Sequence, residues 1–236
     1  MAGKQASAHK RTPGRKAATK PEPIWLDTKI EPSQERARDT FETILETTGL
    51  LLGEVGFERL STNMICQRAG MTPPALYRYF PNKYAILKEL GRRLMEEQDQ
   101  AAFDWIDAGG LETESVEDTI ASNLRLQTQI NEITRRFPGG VWILRVLRVV
   151  PVLREVRVES RDLVAQRVFD AMRSRFPGVS DDQLLAATRL TTELMYAATE
   201  MVIEEPELDD QITHELCRMI AYYYAGLRLA SNATAH

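Results

Sequence analysis

Cysteine is scarce in this 236-residue chain: Cys66 and Cys217 stand far apart without CxxC spacing, which excludes a disulfide framework and gives no zinc-site pattern. Histidine is hardly richer. His9 and His236 fall in expected tails, and His214-Glu215 beside Cys217 is not the HExxH arrangement that sets two imidazoles on one metal. There is also no Gly-rich phosphate loop and no nucleophile elbow. These absences argue against an enzyme, and neither a metal nor a cofactor is expected. No uninterrupted apolar run approaches the roughly 20 residues of a membrane span, and the start lacks the apolar region of a signal peptide. The chain therefore reads as cytoplasmic, with no membrane partner. Alternating strand patterns are missing as well, so the fold class should be all-α.

What is present is an uneven distribution of charge. The net charge of −4 conceals four blocks: +4 over residues 1–34, −4 over 35–58, +6 over 59–93 and −10 over 94–236. The third block holds Arg59, Arg68, Arg78, Lys83, Lys88, Arg92 and Arg93 against Glu89 alone. One short basic segment inside an acidic protein is the footprint of a compact phosphate-binding surface on a body that should not adhere to nucleic acid.

Residues 1–20 carry Lys4, Lys10, Arg11, Arg15, Lys16 and Lys20 and no acid, among Ala, Thr, Gly and Pro. Such a composition cannot build a core, so residues 1–32 are expected to form a disordered basic arm, either touching DNA or serving as a solubilising tail. Pro21, Pro23 and Pro32 keep the chain out of helix until about Ser33. Phe41, Ile44, Leu45, Thr48, Leu51, Leu52 and Val55 then recur at helical spacing until Gly56. Ser61 or Thr62 can cap a short second helix that stops at Gly70, and Thr72 can cap a third that opens with two prolines and runs to about Tyr79. Asn82 caps a fourth carrying Ile86, Leu87, Leu90 and Leu94, with a break near Gln98. Further helices are predicted near 99–107, 114–136, 140–150, 151–176, 180–204 and 208–230, separated by Gly and Pro clusters, with Pro151 either a break or a kink.

Two short helices joined at Gly70-Met71 are the sequence form of a helix-turn-helix, whose second member enters the major groove. The run from Leu60 to Lys83 resembles the DNA-binding domain of tetracycline-repressor (TetR) family regulators, matching at Thr62, Ala69, Gly70, Leu76, Tyr77, Phe80 and Lys83. It departs at Cys66, where the family usually has Ala, and at Pro74, where it often has Gly. The resemblance covers about residues 35–95, and it implies a DNA-binding domain over 33–95 followed by a ligand-binding and dimerisation domain over 96–232. It further implies that the last two helices pair with those of a second subunit.

Pro73, Pro74 and Ala75 should offer bases a small apolar tip, while the resemblance makes Asn63 the better base reader, since it lines up with a family position that can reach a base and its amide can pair with adenine. Thr62, Thr72, Tyr77, Arg78, Tyr79 and Lys83 resemble the family's phosphate contacts. Lys83 in a first helical turn opposes the helix dipole and so calls for a compensating partner such as phosphate. Leu76, Phe80 and Cys66 are expected in the core. In the second domain the apolar stretch Val141–Val150 should be enclosed and line any cavity, and Trp105, Gln127, Trp142, Met195 and Tyr196 suit a mostly apolar pocket, although each also fits ordinary core.

The last helix repeats Leu208, Ile212, Leu216, Met219, Ile220, Tyr223 and Leu227 on one face, and the helix before it is apolar on two, which calls for a second subunit. The resulting expectation is a homodimeric repressor on a palindromic double-stranded operator, released by a small hydrophobic or amphipathic effector. The alternative from another class is a ligand-independent architectural or protein-recruiting DNA binder.

Overall fold

The computed structural model describes residues 24–29 and 35–234. Among these the secondary structure is helical throughout, in nine α-helices: α1 (Glu35–Arg59), α2 (Thr62–Arg68), α3 (Pro73–Tyr79), α4 (Lys83–Asp107), α5 (Val116–Arg136), α6 (Gly140–Val149), α7 (Arg154–Met172), α8 (Asp181–Glu204) and α9 (Asp209–Thr234). Pro151 is a true break: a 3-10 turn over Pro151–Leu153 separates α6 from α7.

Local chemistry sets most of the ends. Gly56 takes φ 74°, a left-handed conformation that interrupts α1 before its last turn. Ser61 rather than Thr62 caps α2, its hydroxyl accepting from the Met64 amide. Thr72 makes no side-chain cap on α3, a helix whose two leading prolines bring no N–H to satisfy. Asn82 accepts from the Ala85 amide and opens α4. Ser115 and Asp118 form a reciprocal capping box at α5.

The expected break near Gln98 does not exist. α4 runs unbroken for 25 residues, roughly 37 Å, and the 95/96 domain boundary falls inside it. Gln98 and Asp99 interrupt the apolar pattern without being helix breakers, and both are buried. One hydrophobic core accordingly extends from Phe41, Ile44, Leu52, Ile65, Leu76 and Phe80 through Leu90 and Leu94 to Leu126, Leu144, Leu147 and Val164. A second cluster, around Phe176, Leu184, Ala198, Leu216, Ile220 and Tyr224, joins the end of α7 to α8 and α9.

α6 packs against α1, α4 and α7. A Cβ at Gly49 of α1 would lie 2.4 Å from the Pro138 carbonyl oxygen, and one at Gly139 2.4 Å from the Gly49 carbonyl oxygen, so two glycines let the backbones meet directly. A Cβ at Gly91 of α4 would lie 2.7 Å from Leu147 on α6. Contrary to the expectation for Val141–Val150, the helix is buried on one side only, with Arg148 and Val149 exposed, and it does not line the cavity described below; it wedges the N-terminal helices onto the larger domain.

Of the expected disordered arm, residues 1–23 and 30–32 lie outside the described residues. Residues 24–29, however, are held against α3 and α4. The Lys29 amide donates to the Tyr79 carbonyl at 2.8 Å, Lys29 Nζ donates to the Tyr77 carbonyl at 3.0 Å, and Asn82 Nδ2 donates to the Trp25 carbonyl at 2.8 Å. The two Lys29 bonds satisfy carbonyls at the end of α3, an attraction that composition does not reveal.

Candidate DNA-binding face and ligand cavity

The α2–α3 turn is built by backbone chemistry. Gly70 at φ 63° lets the Met71 amide donate to the Cys66 carbonyl at 3.0 Å and the Gly70 amide donate to the Gln67 carbonyl at 3.4 Å, the double closure of a Schellman motif. Leu76 and Phe80 turn inward as expected, with Phe80 stacked on Phe41 at 4.7 Å between centroids. The outer surface presents Asn63, Gln67, Thr72, Pro73, Pro74, Tyr77 and Arg78 as exposed residues, with Thr62 and Ala75 half-buried. Thr62 Oγ1 and Tyr77 Oη lie 2.9 Å apart and share a hydrogen bond, which ties the start of α2 to α3 and orients the phenol.

Two expected phosphate contacts are placed otherwise. Tyr79 is only 4% exposed, its ring edge-on to Phe41, because it falls on the inner face of α3 beside Leu76. Lys83 Nζ donates to the carbonyls of Phe57 and Leu60, each at 3.0 Å, and lies 4.3 Å above the Phe57 ring. The partner that offsets its unfavourable place in the α4 dipole is thus the end of α1, where carbonyls left without intrahelical donors accept from it.

The basic block is also less free than its sequence count suggests. Arg68 forms a two-pronged pair with Glu54, at 2.9 and 2.6 Å; Arg93 pairs with Glu42 and Glu89; Arg92 pairs with Glu89 and Glu96; and Lys88 pairs with Asp27. From the acidic block over 35–58, Glu54 and Glu42 meet it across the α1–α2 and α1–α4 contacts. Arg78 remains exposed, stacked over the Tyr79 ring at 5.8 Å. Gln67, which sequence reasoning passed over, stands exposed on α2 one turn beyond Asn63 and could have been found from that i, i+4 spacing.

In the larger domain a cavity of about 380 Å³ lies among α4, α5, α7, α8 and α9. Of the expected pocket residues it brings together Trp105, Met195 and Tyr196. Gln127 and Trp142 do not line it. Gln127 lies in the core, its NH₂ group shared among Asn131 Oδ1, Thr199 Oγ1 and the Met195 carbonyl, which fastens α5 to α8. Trp142 lies on α6 under the Arg145 guanidinium, 4.7 Å from the ring centroid.

The polar groups in the cavity wall were the larger omission. Gln98, Asp99 and Asn123 all line it and are all at least nine-tenths buried. Burial pushes the Asp99 carboxyl up to about 6, against one hydrogen bond from Ser160 at 2.7 Å that favours its ionised form. Ser160 is shared with the Tyr196 hydroxyl at 2.9 Å, and burial holds that phenol well above its ordinary range. Asn123, Gln127 and Asn131 recur every fourth residue on the inner face of α5, a polar stripe in an apolar position that the sequence did display.

A glycine-closed helix pair with an exposed, partly polar outer face, set on a helical body with an interior cavity, is the architecture of a helix-turn-helix protein with a second helical unit. The family model for bacterial regulatory proteins of the tetR family matches residues 44–90, which run from α1 into α4. Over these residues the chain is similar to that family. It is 33% identical over 113 residues to the nucleoid occlusion factor SlmA of Actinobacillus pleuropneumoniae serotype 5b, a match covering 47% of this chain and 50% of the relative. The chain thus spans about half the length of that curated relative. A tetR-family transcriptional regulator from Streptomyces coelicolor shares the fold with a TM-score of 0.59 at 15% identity, covering 84% of this chain and 83% of that one. The SmeT–triclosan complex does so with a TM-score of 0.53 at 22% identity, covering 76% and 90%.

Proposed function

We propose that this protein is a homodimeric, ligand-responsive transcriptional repressor that binds a palindromic operator. The observation that carries the reading is the continuity of α4: its first turn is bonded through Lys83 to the end of α1, from which α2 follows directly, and its last turns, from Gln98 to Trp105, form part of the cavity wall. A ligand that displaces the cavity end of a rigid helix must tilt the other end, and with it α2 and α3. The Gly49–Gly139 contact is the fulcrum on the side of α1. A ligand with unequal affinity for two head spacings then changes operator occupancy, about 5- to 150-fold for a coupling of about 1 to 3 kcal/mol.

Base readout falls to Asn63 and the Pro73-Pro74-Ala75 tip. Thr62, Thr72, Tyr77 and Arg78 supply phosphate contacts that set register. The homodimer rests on the outer apolar residues of α8 and α9: Leu190, Met201, Met219, Tyr222, Tyr223 and Leu229 are all 43% or more exposed. A cytoplasmic setting and the absence of turnover belong to the same reading. A solved relative carries triclosan, a small and largely apolar molecule, which supports an effector for this cavity.

The likeness to a nucleoid occlusion factor favours one second reading, in which the protein binds DNA and recruits a protein without a small effector. Retention of genomic fragments by the purified protein at several salt concentrations, followed by sequencing, tests the main reading. Enrichment of one palindrome is expected, and its release by compounds that occupy the cavity. A palindrome that no cavity ligand releases would move the conclusion to the second reading, and salt-sensitive retention without any sequence preference would remove the repressor assignment.

A further inference from the structure

The cavity wall is asymmetric in its chemistry. A buried carboxyl and a buried amide stand next to each other on α4. Asp99 is 7% exposed, accepts from Ser160 and enters no ion pair among the described residues. Gln98 is 2% exposed and donates through Nε2 to Thr134 Oγ1 at 2.7 Å. Thr134 gives its own proton to the Ile130 carbonyl, at 2.9 Å, so the group facing it must be the Gln98 NH₂. That fixes the amide and leaves Gln98 Oε1 as a buried acceptor without a partner. The rings of Trp105, Tyr196 and Tyr224 line the same space, and their faces favour positive charge. Leu126, Ile130, Val164 and Met195 make much of the rest of the wall apolar, while Glu114 and Arg228 contribute one charge of each sign to it.

A buried carboxyl without a cation and an adjacent carbonyl without a donor are costly in an empty site, and one ligand chemistry relieves both. Resting on the ligand-responsive reading above, we propose that the effector is an amphipathic organic cation whose protonated amine sits against Asp99 and Gln98, its apolar body lying among the aliphatic and aromatic residues of the cavity. At about 380 Å³ the space suits a drug-sized molecule rather than a bare ion. The Asn123 amide, whose Nδ2 is also buried without a partner, would take an acceptor further along the ligand.

Calorimetric titration of the full-length protein with decylammonium, decanol and decanoate, each below its micelle-forming concentration, compares one tail with three head charges. Decylammonium is expected to bind about tenfold more tightly than decanol, with decanoate the weakest. Asp99→Asn should bring the amine to within about twofold of decanol without weakening decanol itself, which shows that the cavity survives, and Asp99→Glu should restore part of the preference. The preference should also fade as the pH drops below about 6, where the carboxyl takes a proton. An alkylammonium of pKa about 10 keeps its charge throughout that range. The other charged or titratable groups near the site are Glu96 on α4, Glu114 just before α5, Arg157 on α7, Glu193 and Tyr196 on α8, and Tyr224 and Arg228 on α9; none of them is replaced in the variants.

Equal or tighter binding of decanol or decanoate, an unchanged preference in Asp99→Asn, or no binding of decylammonium would overturn the proposal. If the neutral or anionic probe binds and releases operator DNA, the charge assignment falls while the ligand-responsive reading stands. If decylammonium binds through Asp99 but leaves DNA retention untouched, the effector-controlled reading falls instead.

Discussion

Asn63 on α2 and Tyr77 on α3 are both exposed, yet they should fail differently when replaced. An amide that reads a base edge contributes about 1 to 3 kcal/mol of discrimination, so Asn63→Ala should flatten sequence preference at one position of each half-site. A phenol that touches phosphate carries no sequence information, so Tyr77→Phe should weaken binding to every site alike. Competitive binding with single-position operator variants separates the two. Asp99 makes a different prediction, about stability. Its carboxyl pKa is raised in the folded state to about 6, so it favours folding fully only below the unfolded value near 3.8 and loses that contribution as pH rises through 6. Asp99→Asn should therefore stabilise the protein above about pH 7, by at most about 3 kcal/mol, and have little effect near pH 4; denaturant melts at both pH values check this. Tyr77 was legible as a surface residue because its neighbours Leu76 and Phe80 are so plainly core. Asp99 was not, because the sequence does not say that the helix carrying it continues past a polar pair into a cavity.

At the scale of elements, α1, α4 and α6 behave as one clamp. Lys83→Met keeps the aliphatic stem but removes the donor that closes the end of α1 onto α4, which should cost about 1 to 3 kcal/mol in a denaturant titration. The slope of DNA affinity against salt should stay the same; a fall of about one would restore Lys83 as a phosphate contact. Gly49→Ala places a methyl group within 2.4 Å of a carbonyl oxygen of the facing backbone, so the clamp must open. A loss of about 1 to 3 kcal/mol and a reduced effect of ligand on DNA release are expected, read by thermal melts and by operator retention. The N-caps at Ser61 and Asn82 and the glycine stop at Gly70 could be anticipated, since capping and turn chemistry reach only a few residues along the chain. The missing break near Gln98 could not, because a polar residue at a cavity and a polar residue at a helix end leave the same mark in one sequence. Residues 24–29 are a similar case: what holds them is the open end of α3, about 50 residues away in the sequence.

For the molecule as a whole, the apolar residues left outward on α8 and α9 define the expected dimer. Replacing Met219 and Tyr222, which are 56% and 55% exposed, with glutamate should convert a dimer into monomers in sedimentation equilibrium and weaken operator binding sharply. A wild-type protein that sediments as a monomer at micromolar concentration would contradict the palindrome as well. The sequence pattern assigned Met219 and Tyr223 to the same face as Leu216 and Ile220, but the structure turns them outward while Leu216, Ile220 and Tyr224 go in. A wide apolar stripe on a helix does not say how many partners divide it.

The amino-acid sequence by itself determined the all-helical class, most helix ends and the helix-turn-helix at residues 61–80, because dihedral preference, capping and periodicity act within a few residues. Only the tertiary structure decided which acids neutralise the basic block, that Lys83 closes a helix instead of awaiting phosphate, and that Gln98, Asp99, Asn123 and Tyr196 meet around one space. Those outcomes depend on where distant helices pack, and the charge, hydrogen-bonding and burial of a side chain are set by neighbours that local sequence does not name.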